Sequence, residues 1–320
     1  MIILGGGPAG AAAAIAARRE GSEAQLIEKS KFPRHKVCGE FFSPEIAGEL
    51  EGLGAWDAFL SAGPARVRRM KLHFGRREKV SSLPECAWGL SRYAFDALLL
   101  DRAQSLGAEV AADGEAPLVI ASGRSAARQV RHDTGNRLFG FKAHFEGPVD
   151  DAIELFFFGP CYAGINAVEG GRTNVCGLGP EDFLRRFDFD YDQVVRQSPA
   201  LAARLAPLTR SMKWLSTGPL RYGQKFESNG GQYPAGDALA FVDPFTGSGL
   251  VAAVKTGAMA GTAAARGEPA AAYLARCRDS LRKPFEIASL FRNVVERGWA
   301  DRIAPLVPGR ILFALTRPHP

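Results

Sequence analysis

The chain opens with Met1-Ile-Ile-Leu-Gly-Gly-Gly-Pro-Ala-Gly10, and an alanine-rich segment follows as far as Arg19. The pattern predicts a short apolar strand, a glycine turn with G-x-G-x-x-G spacing, and a helix that begins at the turn. Gly5 allows the tight turn, Gly7 lets a phosphate reach the main chain, and Gly10 lets the helix pack closely on the strand. Such a helix binds anions because its first N–H groups are unpaired and lie at the positive end of the helix dipole. The stretch therefore predicts a phosphate site built from backbone.

An acidic residue stands where a dinucleotide-binding fold needs one. Ala24–Ile27 predicts the second strand, and Glu28 follows it, 18 residues after Gly10. A carboxylate at this position accepts hydrogen bonds from the hydroxyl groups of a ribose. A solvated acid at a strand end is the ordinary alternative. Because strand, glycine turn, helix and acid occur together, the sequence favours a dinucleotide site.

Composition excludes several other classes. A chain of 320 residues, 46% hydrophobic and 23% charged, is typical of a globular protein of about two domains. The net charge of +6 is scattered, without the basic stripe of a nucleic-acid partner. The five cysteines are widely spaced and lack a C-x-x-C pair, which predicts no metal site or disulfide framework and favours a cytoplasmic location. We expect no signal peptide. The sequence has no apolar run of about 18 residues, so no membrane-spanning helix is expected.

The middle of the chain contains a separate β-rich region. Residues 66–87 alternate as strands do, and Leu90–Leu100 has the periodicity of an amphipathic helix that ends near Gly107. Earlier, Ser43 and Pro44 predict the start of a helix as its N-cap and first position. An antiparallel sheet is predicted from four later segments: Phe139–Phe145, Ala152–Phe158, Cys161–Val168 and Arg172–Leu178.

A strand–turn–helix pattern returns near residue 232, and residues 270–300 are also helical in pattern. A sheet domain is thus inserted into the nucleotide fold. The apolar tail Ile303–Leu315 is broken by two prolines and a glycine, which favours core packing over peripheral membrane contact. We predict a discontinuous cofactor-binding domain that comprises residues 1–65, 88–130 and 230–285. The predicted substrate domain comprises residues 66–87 and 131–229. Residues 286–320 are predicted to form a C-terminal helical segment.

Four segments in this order resemble the FAD-dependent oxidoreductases of the geranylgeranyl reductase-like group, which is related to the p-hydroxybenzoate hydroxylase-like monooxygenases and the flavin halogenases. The segments are Gly5–Gly10 with Glu28, Pro33–Gly39, Leu90–Asp96, and Gly236–Leu250. The resemblance implies an α/β fold: a Rossmann-like FAD-binding domain of the glutathione reductase type, with an inserted antiparallel β-sheet substrate domain and a helical C-terminus. It also implies FAD as the cofactor and NAD(P)H as the electron donor.

The residues of the last segment suit particular parts of the flavin. Asp237 can accept a hydrogen bond from a ribityl hydroxyl, and the loop Pro244–Gly249 would lie beside the flavin ring. A helix that starts near Leu250 would direct N–H groups at the edge where reduced flavin collects negative charge. The cofactor-binding residues implied in all are Gly5, Gly7, Ala9, Gly10, Glu28, Cys38, Gly39, Arg92, Val110, Asp237, Pro244, Gly247, Gly249 and Leu250.

Catalytic residues are not identified by the sequence, and the candidates are Cys38, Tyr162 and His35. Further pocket residues are Asn166 and Phe245, although ordinary packing explains each of them as well. Nearby Arg34 and Lys36 would lower the pKa of the Cys38 thiol if their side chains face it.

The sequence departs from its relatives at three places. Ser122-Gly123 stands where hydroxylase-like flavoproteins have Asp-Gly, and the few residues between Val110 and Pro117 leave no room for their β-meander. Prenyl reductases carry a Tyr-x-Trp-x-Phe-Pro-like stretch, of which only Tyr162 is kept here. A geranylgeranyl substrate is therefore not indicated.

We expect a small-molecule substrate and one of two reactions. A reductase would transfer a hydride from flavin to an activated double bond, whereas a monooxygenase would transfer oxygen from a flavin hydroperoxide. A flavin-binding protein without turnover is the alternative from another class. A second G-x-G-x-x-G is absent, which disfavours a dedicated NAD(P) dehydrogenase. Halogenation is disfavoured because flavin halogenases have two tryptophans spaced by one position, unlike Trp56, Trp88, Trp214 and Trp299.

Overall fold

The computed structural model describes residues 1–75, 77–123, 137–220, 223–224, 226–241 and 247–282. Two large sheets of different kinds organise this part of the chain, and a short two-stranded sheet pairs Gly223–Gln224 with Ala240–Phe241. The strands are β1 (Ile2–Leu4), β2 (Gln25–Ile27), β3 (Phe41–Phe42), β4 (Ala65–Phe74), β5 (Arg77–Gly89), β6 (Glu109–Ala111), β7 (Val119–Ile120), β8 (Leu138–Glu146), β9 (Ala152–Phe158), β10 (Cys161–Val168), β11 (Arg172–Pro180), β12 (Thr209–Arg210), β13 (Leu215–Leu220), β14 (Gly223–Gln224), β15 (Tyr233–Pro234) and β16 (Ala240–Phe241). The helices are α1 (Pro8–Arg19), α2 (Ile46–Leu53), α3 (Trp56–Ser61), α4 (Arg92–Ser105), α5 (Glu181–Arg185), α6 (Tyr191–Val195), α7 (Pro199–Leu205), α8 (Gly249–Ala265) and a helix over residues 270–282.

The smaller sheet is parallel and contains the amino terminus. Its strand order is β15-β7-β1-β2-β6, and α1 connects β1 to β2. Helices α1 and α8 lie in close contact, because two glycines of α8 face the backbone of α1. A Cβ atom at Gly257 would lie 2.1 Å from the carbonyl oxygen of Ala9, and one at Gly261 would lie 2.1 Å from that of Ala13. This contact brings the amino ends of the two helices to the same side of the sheet.

The larger sheet is mostly antiparallel and has one apolar face. Its order is β12-β8-β11-β10-β9-β4-β5-β3, with β13 also paired to β8. Alternate residues of each strand point to opposite faces. Phe141, Ala143 and Val175 lie on the face covered by α5–α7, in a cluster with Leu184 and Leu201. The opposite face is directed at the parallel sheet, and it carries the alternate residues of the same strands.

The predicted fold class is confirmed, and the four predicted strands of the inserted sheet correspond to β8–β11. No strand lies in residues 112–118, in agreement with the short connection expected there. The domain bounds stay a prediction. Phe41–Phe42, placed by that division in the cofactor domain, pair with Trp88 and Gly89 in the larger sheet.

The predicted start of α2 was wrong. The helix begins at Ile46, and the buried Ser43 hydroxyl makes no hydrogen bond with a described residue. The N–H groups of Ile46 and Ala47 bond three residues back, to Ser43 and Pro44, so this turn is a tight 3₁₀-like turn without a side-chain cap. Helix α2 ends at Leu53, and Gly54 follows it with φ +64°.

Pro244, Phe245 and the C-terminal segment 286–320 lie outside the described residues. Within the part that is described, none of the helices has the length and apolarity needed to cross a bilayer.

Candidate functional site

One continuous cavity lies between the two sheets. At one end it is lined by Gly7 and Glu28, at the other by Gly247 and Leu250, and Tyr162 of the large sheet faces it. The glycine turn after β1 and the loop before α8, more than two hundred residues apart, therefore open into the same space. That arrangement is what one extended dinucleotide requires.

Most of the predicted cofactor residues line this cavity. Gly10 does not, because it lies under the turn, and neither does Val110, whose side chain is exposed on β6. Ser122, which replaces the expected aspartate, is part of the lining. The predicted residues that line the cavity are Gly5, Gly7, Ala9, Glu28, Cys38, Gly39, Arg92, Asp237, Gly247, Gly249 and Leu250.

The turn after β1 has the geometry of a phosphate cradle. Gly5 adopts φ +104°, a conformation that glycine alone takes readily. Gly7 precedes α1, and a Cβ atom placed on it would meet only the Arg92 guanidinium, at 4.0 Å. The space in front of Gly7 is thus open to a ligand. Because the N–H groups at the start of α1 point into it, the turn fits a pyrophosphate.

Glu28 is held as an ionised acceptor at the end of β2. Its carboxylate accepts hydrogen bonds from the N–H of Gly6 at 3.0 Å and of Ser30 at 2.8 Å, and Arg34 lies 3.1 Å away. Burial opposes ionisation, but these hydrogen bonds and the Arg34 charge outweigh it and keep the pKa of Glu28 below its usual value. An ionised carboxylate here fits the hydroxyl groups of a ribose.

Three cations face the same part of the cavity. Arg34 pairs with Glu28, and Arg92 forms a bidentate pair with Asp96 of its own helix. No described carboxylate forms an ion pair with Lys36. Burial lowers the pKa of Lys36, and the charges of Arg34 and Arg92 add to that effect. The arrangement fits an anionic ligand at this end of the cavity, such as a diphosphate.

Replacement of Lys36 by alanine is expected to weaken FAD binding about tenfold, because one charge-assisted contact to a phosphate contributes about 1.4 kcal/mol. Lys36→Arg should retain most of the affinity. Lys31→Ala is the matched control, since Lys31 is exposed in the same loop and does not line the cavity. Titration of the apoprotein with FAD, followed by flavin fluorescence, measures all three. Equal dissociation constants for Lys36→Ala and Lys31→Ala would contradict this assignment.

Two asparagines of the large sheet fix the loop that contains Cys38. The side-chain amide of Asn174 donates to the carbonyl oxygens of Cys38 at 3.2 Å and Gly39 at 2.8 Å, and that of Asn166 donates to the carbonyl of Glu40 at 3.4 Å. Asn166 and Asn174 are direct partners on β10 and β11. The loop is therefore attached to the large sheet by its backbone.

The condition for a lowered pKa of Cys38 is not met. Burial raises the pKa of its thiol, and the nearby Arg92 charge does not reverse the shift. Neither Arg34 nor Lys36 is among the main causes of the shift, and Arg34 pairs with Glu28 instead. Cys38 thus keeps its proton at neutral pH, and it is a candidate proton donor rather than a thiolate nucleophile.

A buried ionic group next to this loop was missed by the sequence analysis. We call it the Glu40 cluster: His35, Glu40, Lys142 and His144. The Glu40 carboxylate is fully buried and accepts from the Lys142 ammonium, from Nε2 of His144 at 2.6 Å, and from the N–H of Arg92 at 2.6 Å. Lys142 and His144 alternate within the otherwise apolar strand β8, and this alternation was the one signal available.

The rest of the cavity floor is apolar. Met70, Ile153 and Leu155 lie on neighbouring strands, and Tyr162 adjoins them on β10. Of the three catalytic candidates, Cys38 and Tyr162 line the cavity. His35 does not; it lies against Tyr93 and His144, with ring centroids 4.9 and 5.2 Å apart. The floor fits an apolar substrate, with polar groups gathered on the side of the Cys38 loop.

No family model matches the chain. It is 32% identical over 117 residues to the menaquinone reductase of Mycobacterium tuberculosis, a match that covers 34% of this chain and 28% of that protein. It is 33% identical over 117 residues to a flavin-dependent halogenase of Armillaria mellea, covering 34% of this chain and 23% of that protein. The chain thus spans less than a third of the length of these curated relatives.

Solved structures resemble nearly the whole chain. A flavoprotein/dehydrogenase from Cytophaga hutchinsonii superimposes with a TM-score of 0.80 at 18% identity, covering 99% of this chain and 92% of that one. A mutant flavin-dependent brominase gives 0.79 at 21% identity, covering 98% and 93%. A geranylgeranyl bacteriochlorophyll reductase-like protein from Thermoplasma acidophilum gives 0.69 at 16% identity, covering 99% and 91%.

These comparisons do not support the exclusion of halogenases that the tryptophan spacing suggested, because halogenases are among the matches in both sequence and structure. They do confirm the wider resemblance: this chain has the fold of the FAD-dependent oxidoreductases, a group that includes flavin halogenases and geranylgeranyl reductase-like proteins.

Proposed function

We propose that this protein is an FAD-dependent oxidoreductase of the cytoplasm that acts on a small apolar organic substrate. One observation carries the proposal: the phosphate-cradling turn at Gly7, the loop at Gly247 and the apolar floor of the large sheet share a single cavity. A cofactor bound along the first two would lie against the third. A substrate on that floor would then be placed beside the cofactor and away from water.

Different residues of the cavity would bind different parts of FAD. The start of α1 with Lys36 and Arg92 would hold the diphosphate, and Glu28 would hold the adenosine ribose. The start of α8 would face the flavin, where its N–H groups favour the negative charge of the reduced form. FAD supplies the redox chemistry, and the protein orients the substrate and excludes water. NAD(P)H is the proposed electron donor.

A reductive reaction is our first candidate. It needs a proton as well as a hydride, and the cavity offers groups that could supply the proton. Cys38 lines the cavity with its thiol protonated, and the Glu40 cluster adjoins it. The menaquinone reductase match agrees with a reductase, and the apolar floor suits a substrate such as a quinone or an isoprenoid. The second candidate is oxygen transfer or halogenation, which the halogenase matches favour.

FAD binding is the first test. Wild-type apoprotein should take up FAD and turn yellow. Gly7→Ala should lose about 100-fold in affinity, about 2.7 kcal/mol, because its methyl group would occupy the phosphate space. Its melting temperature should match that of the wild type, since that Cβ atom meets no protein atom closer than 4.0 Å. Unchanged affinity in Gly7→Ala would contradict the cradle, and failure of wild type to bind FAD would contradict the function.

A second step separates the reactions. The FAD-loaded protein is reduced anaerobically with NADPH or NADH and then mixed with menadione, or with oxygen and bromide in the presence of a phenol. Rapid flavin reoxidation by menadione indicates a reductase. Brominated or hydroxylated phenol indicates the second candidate. Reoxidation at the rate of free flavin under every condition would favour a flavin-binding protein without turnover.

A further inference from the structure

The Glu40 cluster connects the cofactor side of the molecule with the large sheet. Glu40 belongs to the loop that follows Cys38, whereas Lys142 and His144 belong to β8. The side chains of Glu40 and Lys142 are 0% exposed and that of His144 is 2% exposed. Buried charges of this kind usually cost as much free energy as they return, so their presence at a cavity wall invites a functional explanation.

The cluster extends from the cavity to the protein surface. Glu40 lines the cavity, and its Oε2 lies 2.6 Å from Nε2 of His144. His35 is partly exposed, and its ring lies tilted against that of Tyr93, a residue that is 42% exposed. One ligand atom from each of His35, Glu40 and His144 lies within 4.8 Å of the other two. Within the described part of the chain, His144 is hydrogen-bonded to Glu40, whereas His35 lies within 4.8 Å of both without a direct hydrogen bond to either, a gap that one water molecule can span. The three groups thus lie in a short series between solvent and cavity.

The charges around the series argue for protons rather than a metal ion. Lys142 already occupies Oε1 of Glu40, and His144 occupies Oε2. Burial lowers the pKa of His35, and the nearby charges of Lys142, His144 and Arg172 lower it further against the opposing charge of Glu40. A divalent cation would add to a field that is already positive. A neutral imidazole, by contrast, can accept a proton and pass it on.

His35 also has an atom available for this task. Its Nδ1 is buried, and no described residue forms a hydrogen bond with it. A buried imidazole nitrogen without a partner is uncommon, because an unmade hydrogen bond costs free energy. Such an atom is explained if it exchanges a proton with its neighbours during the reaction.

We propose that His35, His144 and Glu40 form a proton relay between solvent and the flavin cavity. The inference rests on the proposed function. With FAD bound, the cofactor would supply the hydride for reduction of a substrate double bond, and the relay would supply the proton that completes the product. Solvent would then return one proton to His35. The same residues would carry to solvent the one proton that is set free when an electron acceptor takes two electrons from the reduced cofactor.

Oxidation by ferricyanide tests the relay without a substrate. Two ferricyanide ions take the two electrons of the reduced anionic flavin, and one proton is released. Flavin oxidation is followed at its visible absorbance, and proton release is followed with phenol red in weak buffer. In wild type the two traces should coincide. In His35→Gln and in His144→Gln, proton release should lag about 100-fold behind oxidation, the lower end of the usual effect of losing an acid–base group.

His73→Gln is the matched control. His73 lies on the same sheet and contacts a buried glutamate, with Nε2 3.3 Å from Glu154, but neither residue lines the cavity. Its traces should coincide, as in wild type. Added imidazoles should restore proton release in His35→Ala, at rates that follow the pKa of each imidazole, which a purely structural role would not produce. Coincident traces in His35→Gln and His144→Gln would overturn the relay.

Histidine ring NMR tests the cluster in the apoprotein, so a failure to bind FAD would not leave the relay unexamined. Because the His144 charge lowers the pKa of His35 and the Glu40 charge raises it, His144→Gln should raise the titration midpoint of His35 and Glu40→Gln should lower it. If both substitutions leave the midpoint unchanged, the groups are not coupled and the relay is wrong, whatever the flavin does.

Discussion

Gly10→Ala is expected to lower the free energy of unfolding by about 3 kcal/mol or more, the upper range for added volume in a packed site. A Cβ atom at Gly10 would lie 1.7 Å from the carbonyl oxygen of Gly5 and 2.9 Å from its carbonyl carbon. The turn cannot move away from the added methyl group, because Gly5 is itself packed against Ala121. A Cβ atom at Gly5 would lie 2.4 Å from the carbonyl oxygen of Ala121. Helix α1 would have to separate from β1. Urea denaturation followed by circular dichroism measures the loss.

Gly48→Ala provides the matched control. Gly48 lies inside α2, where an added Cβ atom meets nothing within 4 Å. Alanine favours a helix interior by up to about 1 kcal/mol over glycine, so this variant should be slightly more stable than wild type. Equal stability of Gly10→Ala and Gly48→Ala would show that the turn is not closely packed on α1.

The parallel half of the fold was predictable because its signals are local. The turn at Gly5 and the helix after it are specified within ten residues. The strands β8–β11 of the antiparallel sheet were also predictable from local signals, because Gly, Pro and Asp separate these β-like segments. The start of α2 was mispredicted because Ser43 and Pro44 suit a helix start in any context. Local preference could not show that the Ser43 hydroxyl would be buried with no hydrogen-bond partner among the described residues.

The site was predictable only in part, because much of it depends on contacts between distant residues. The Gly-rich segments would bind the cofactor through backbone atoms, and the spacing of their glycines is visible as a sequence motif. Glu40 and Lys142 are 102 residues apart, and each on its own is typical of an exposed loop or a strand edge. The pKa of Cys38 stayed open for the same reason, since sequence proximity to Arg34 does not show which carboxylate that arginine meets.

Glu40→Ala is expected to cost about 3–5 kcal/mol of stability, the usual loss when one member of a buried ion pair is removed. Lys142 and His144 would remain buried, and the N–H of Arg92 would lose its acceptor. Glu154→Ala offers the comparison, because Glu154 is also buried but pairs with Arg204, a side chain that is 20% exposed. Glu154→Ala should therefore lose less stability than Glu40→Ala. Urea denaturation at neutral pH ranks the two variants.

The same carboxylate gives the stability a defined dependence on pH. Burial opposes its ionisation, but the hydrogen bond from His144 and the Lys142 charge outweigh burial and lower the pKa of Glu40. A lowered pKa in the folded state means that the ionised form stabilises the fold. This contribution is complete above the unfolded pKa, about 4.3, and is lost as the pH falls through the lower folded value. Between about pH 5 and pH 3, Glu40→Ala should lose less stability than wild type. If the free energy of unfolding fell equally steeply with pH in both proteins, the lowered pKa of Glu40 would be contradicted.

Replacing the whole ionic group separates its two roles. In the triple variant Glu40→Leu, Lys142→Met, His144→Leu no charge is left uncompensated, and apolar replacements of buried ion pairs are often neutral. Most of the stability lost in Glu40→Ala should return, apart from about 1–3 kcal/mol for the unsatisfied N–H of Arg92. Proton release on ferricyanide oxidation should nevertheless remain slow, because the relay is gone. If the triple variant were as unstable as Glu40→Ala, the loss would come from packing rather than charge. If it released protons as fast as wild type, these buried ions would serve no proton transfer.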